Sequence, residues 1–465
     1  MAYTVDFDSG TGVQGVADDI YFQVRDTTNY AEPKYRYLCK LTIDSVVVGT
    51  FKQLPNNKNC AVFRVQDIVS DYVHQDEQIL RLGRYNSSNA LSTTTIFSIN
   101  KTALQTVTVD FGYEFAATAD DAPTQTFDGG LQTTFKAING SLRQLTDNSN
   151  VSNSASEFAI TGDTKLFLST VPLPSSSLAV QNVIEGQFGA LAFLNGDDVG
   201  SNDSDYVHVT FKNSSDATIN TGYFTNSSTY GGKAPAASLT DSQSLLYLGC
   251  FPENLEAQNI EPDLQPSANT NWSYYEVQFA SSTTLSGNES SAVYKFVKLC
   301  DTRYNKSLSR STFRGEYFLS WWNELGGIDN LLCDGGSLVS QQVTRNNYRT
   351  VGGNTFSASS LLQYSRDAQE GGLISATNQT VTTVQLNTRE ENPEVINSLI
   401  MSLVNSPRVY VYSTAFQQSA VLGKSKNWLR CVVTDTSVSY KTALNNKVDN
   451  YTINIEISRR KPNVK

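Results

Sequence analysis

Two adjacent tryptophans run into a Gly-Gly pair in the stretch RGEYFLSWWNELGGIDNLLCD, residues 314–334. Trp321 and Trp322 are half of the chain's four tryptophans, and Gly326-Gly327 is followed by Ile328, Leu331, Leu332 and Cys333. Each aromatic side chain carries a large apolar area that is costly to leave in water. Glycine reaches backbone angles that other residues resist. The stretch therefore reads as a buried strand, a sharp turn and a second apolar segment, with the rest of the chain as scaffolding before and after it. It contains no group arranged for chemistry. Trp321, Trp322, Gly326 and Gly327 are candidates for a structural or assembly role, and the alternative is that the aromatics hold a ligand.

A chain of 465 residues is too long for one core, so about two to four domains are expected. Charged residues make up 17%, below the roughly 25% usual for soluble domains, and Ser, Thr, Asn and Gln take their place. Aromatics reach 11%, which disfavours disorder and, with abundant Thr, favours sheets. The net charge of −10 argues against a nucleic-acid surface, which needs clustered Lys and Arg. The basic cluster Arg459-Arg460-Lys461 is either a solvated tail or a latch onto an acidic neighbour. The start, MAYTVDFDSG, is acidic and leads into no apolar run, so no export signal is expected. No run of apolar residues is long enough to span a membrane. The six cysteines are scattered without a CxxC pair, and reduced, mostly buried thiols are expected.

Taken in order, the chain reads as mainly β: multidomain β-sandwich or barrel-like modules with few short helices. Residues 1–113 suggest an N-terminal β-sandwich-like domain. Within it, residues 34–51 (KYRYLCKLTIDSVVVGTF) alternate as a hairpin with Tyr35, Tyr37, Cys39, Leu41 and Ile43 on one face and Asp44-Ser45 as the turn. Val62, Val65, Ile68, Val69 and Tyr72 stand at helix-like spacing, so the second half of 61–72 is expected as a short amphipathic helix. Strands are also expected from Ile79 onward and over 94–99 and 106–113. Residues 114–157 are the most polar part and read as a loop or linker excursion. Residues 158–300 return to short aromatic strands and suggest a second β domain. Residues 301–465 form the expected C-terminal β domain, with one amphipathic helix at about 392–405. There Asn392 can cap, Pro393 suits the first turn, and Val395, Ile396, Leu399, Ile400, Leu403 and Val404 form an apolar face. Leu399 joins the structural candidates on that face. The last strand alternates Ile453, Ile455 and Ile457 and should be pinned into a sheet.

Groups for catalysis are sparse. The only histidines are His74 and His208, and nothing in the sequence brings them together. No G-x-S-x-G, H-E-x-x-H, P-loop or G-x-G-x-x-G occurs. The acidic turn within 195–205 (NGDDVGSNDSD) offers oxygen ligands for calcium, but its spacing departs from an EF-hand loop. The expectation is no enzyme, no cofactor and no resident metal. A carboxylate pair assembled from separate strands would leave no local trace, which keeps a glycan-active enzyme open.

The order of several segments adds to this reading. Near the start stand KYRYLCKLTID, VVVGTFKQLPNN and AVFRVQDIVSDYV; in the middle, FLSTVPLP and LLYLGCFPENL; later, YKFVKLC and YFLSWWNELGGIDNLLC. The end has NTREENPEVINSLIMSLVNSPRVYVY, VVTDTSVSYKT and YTINIEIS. Together they span most of the chain, and in this order they resemble virion structural proteins of tailed bacteriophages, chiefly phages of marine and Bacteroidetes-type hosts. The polar stretch 114–157 lies outside these segments. The resemblance implies a tail, hub or neck adaptor protein, made in the host cytoplasm and located in the virion. It also implies partners among other virion proteins and copies of itself in a ring or hub. A receptor- or glycan-binding tail protein, with exposed Tyr and Trp against a host surface glycan, is the alternative, and a glycan depolymerase a further one.

Overall fold

A computed structural model describes residues 3–8, 13–74, 96–100, 103–141, 166–172, 178–195, 206–225, 244–258, 261–299, 317–350, 354–356, 362–364, 372–388, 393–413, 428–435 and 451–457. The fold is mainly β, in several sheets, with short helices. The described residues form two compact units. The first draws on Met1–Ser311, Ser320–Leu331 and Asn392–Pro407; the second on Thr312–Leu319, Leu332–Glu391 and Arg408–Lys465.

The first unit opens with a sandwich. One sheet has three antiparallel strands, in the order Tyr3–Asp8, Tyr21–Asp26, Cys60–Arg64. The other has five: Val13–Gly15, Thr124–Ile138, Leu104–Phe115, Arg36–Ile43, Val46–Gln53. The expected hairpin is present, and Tyr35, Tyr37, Cys39, Leu41 and Ile43 all lie in the core between the sheets. Its turn residues Asp44 and Ser45 both have positive φ, 47° and 68°, the twist that suits a two-residue hairpin loop. Phe22 of the small sheet meets Phe111 and Phe135 of the large one at ring-centroid distances of 5.3 and 6.3 Å. The helix expected after residue 61 is Gln66–Ser70, which buries Val69.

A second set of sheets follows within the same unit. Five strands run in the order Leu178–Val183, Val293–Lys298, Tyr274–Ala280, Tyr206–Lys212, Thr218–Thr225, with the first pair parallel. Three more run Leu191–Asn195, Ser244–Leu248, Phe97–Asn100. The two sheets meet where Phe193 stacks on Phe279 at 4.2 Å, and Phe167, outside both sheets, stands edge-on to Tyr294 at 5.7 Å.

The expected domain borders shift in three places. Thr124–Ile138, expected as linker, is a strand paired along its length with Leu104–Phe115. Its polar residues mislead because only one face is turned inward, where Phe135 and Ala137 are buried. Phe97–Asn100, expected in the N-terminal domain, pairs with Ser244–Leu248 in the second set. Ser320–Leu331 and the helix Pro393–Asn405, expected in a C-terminal domain, belong to the first unit. The strand expected from Ile79 lies outside the described residues, as do residues 142–157 of the expected linker.

The second unit holds a sheet with the strands Val409–Tyr412, Leu429–Val433, Thr452–Ile457, Gly372–Asn387 and Ser337–Thr350 in that order. Neighbours are antiparallel throughout this series. Ile453, Ile455 and Ile457 point inward with Val384 and Leu386, so the final alternating strand is pinned as expected. Tyr412 stacks on Phe318 at 6.1 Å and leans on Trp428 at 5.6 Å.

Candidate functional site

The strand Tyr317–Trp322 and the strand Ile328–Cys333 are buried at every position. Trp321 is 1% exposed, and its indole Nε1 donates to Ser402 Oγ at 3.0 Å on the helix Pro393–Asn405. Trp322 stands edge-on to Tyr247 at 5.7 Å. Leu399 is buried on the same helix with Ile396, Ile400 and Leu403. Ser398, one turn before Ser402, donates to the Thr170 carbonyl, so this helix face combines apolar packing with two hydroxyl fasteners.

The glycine pair is demanded by close approach. Gly326 has φ of +81°, and a Cβ there would press on the Asn139 carbonyl. A Cβ on Gly327 would overlap the Leu168 carbonyl oxygen. Asn323 completes the turn. Its Oδ1 accepts from the backbone N–H of Leu325 and Gly327 at 3.1 and 2.8 Å, and its Nδ2 donates to the Leu168 carbonyl at 2.8 Å.

Behind the turn lies a polar clasp that reading the sequence did not identify. Asp329 is 2% exposed and accepts from Ser169 Oγ at 2.7 Å, Thr170 Oγ1 at 2.5 Å and Thr170 N–H at 3.2 Å. Burial pushes the Asp329 carboxyl above its ordinary value, against the lowering effect of these donors. Asn330 donates to the Ala190 carbonyl at 2.7 Å and accepts through its own carbonyl from Gln181 Nε2 at 2.6 Å. Tyr294 then donates to Gln181 Oε1 at 2.9 Å. The clasp ties segments far apart in sequence to one strand. Its carboxylate is closed off from solvent and taken up by donors. The visible signal was an Asp-Asn pair inside an apolar run, together with Ser-Thr in FLSTVPLP.

The other expected residues are dispersed. His74 is exposed at the end of its segment. His208 is 4% exposed, and its Nε2 lies 2.9 Å from the Ser282 carbonyl. Arg459, Arg460 and residues 196–205 of the calcium candidate lie outside the described residues. Among the described residues no cluster of His, Cys, Asp and Glu is arranged to hold a metal. Cys39, Cys60, Cys250, Cys333 and Cys431 are buried and take part in no disulfide. Burial pushes the Cys39 and Cys431 thiols up to about 12. No helix among the described residues is long and apolar enough to cross a membrane.

The fold and clasp define a mainly β protein whose strongest aromatic and polar groups serve packing. No protein-family model matches the chain. No curated protein matches it either. Among solved structures it is similar to a marsupial T cell receptor, at 7% identity over 83% of this chain and 96% of that one, with a TM-score of 0.16. A likeness that distant carries no argument about fold or function.

Proposed function

We propose that the chain is a structural component of a bacteriophage virion, a tail or neck adaptor or hub that acts through interfaces with other virion proteins and copies of itself. The segment resemblance supplies the class of particle. The observation that most supports a structural role is where the distinctive residues go. Trp272, Trp321 and Trp322 are buried, and Asp329 is consumed by internal hydrogen bonds. Low-charge strand surface is what remains exposed, and large polar interfaces suit such a surface. A glycan-binding groove would instead present tryptophans to solvent, and the burial of Trp272, Trp321 and Trp322 gives the alternative less support.

The test is to purify phage particles, identify their proteins by mass spectrometry, and locate this chain in a density map of the particle. Repeated copies at the tail or neck are expected. Absence from purified particles would overturn the proposal, as would glycan cleavage by the isolated protein.

A further inference from the structure

We draw no further inference here: the strongest candidate, the apolar patch that Val46, Val47 and Leu54 expose along the edge strand Val46–Gln53 of the first sandwich, has no strand beyond it among the described residues, and nothing in the structure shows what covers it.

Discussion

Trp321 makes two contributions that substitution can separate. Trp321→Ala removes its buried area and should cost about 3–5 kcal/mol, read from the urea unfolding midpoint. Trp321→Phe keeps most of that area but strands the Ser402 hydroxyl, which is itself buried, and should cost about 1–3 kcal/mol. Equal losses for the two variants would mean that the hydrogen bond dominates. Asp329 makes a prediction about pH. Burial holds its proton more tightly in the folded chain than in the unfolded one. Its contribution to stability is therefore full below the unfolded carboxyl value and is lost as pH rises through the raised folded value. Asp329→Asn has no such proton. The stability gap between wild type and this variant should be widest at acid pH and narrow toward neutrality. A gap that widened instead would show that the hydrogen bonds of the ionised carboxylate outweigh its desolvation. Asp329 stands out in the sequence as a charge inside an apolar run, but its partners Ser169 and Thr170 lie some 160 positions away and leave no local sign.

At the scale of elements, legibility followed locality. The hairpin Arg36–Ile43 and Val46–Gln53 could be read because its alternation and its turn sit within one short window. The helix Pro393–Asn405 could be read because proline, first-turn glutamate and apolar face agree. Thr124–Ile138 is not legible as a strand because Thr, Gln and Gly-Gly look like a loop until an apolar partner strand is beside them. The hairpin turn offers a further test. Ser45 holds a φ of 68° that glycine adopts without strain. Ser45→Gly should stabilise the first sandwich by about 1 kcal/mol in thermal or urea unfolding. An unchanged or lower midpoint would mean that the serine side chain compensates for the strain.

For the molecule as a whole, the crossover at Phe97–Asn100 sets what can be cut. A fragment of residues 158–300 would lack this strand and bare the edge of Ser244–Leu248, where Leu245, Leu246, Tyr247 and Leu248 are buried in the full chain. That fragment should aggregate, judged by solubility and light scattering, while a fragment of residues 1–300, which keeps this strand together with the whole first sandwich, should remain more soluble. Equal solubility of the two would show that the strand is dispensable. The same pairing imposes a schedule on synthesis. Phe97–Asn100 leaves the ribosome about 150 residues before its partner Ser244–Leu248, and at about 5–20 residues per second that is a wait of roughly 7–30 s. Leu104–Phe115 and Thr124–Ile138 meet their own partners far sooner. The first sandwich can close while one strand beside it still waits for its place, so a chaperone that shields short sheet edges during translation would act most usefully in that interval.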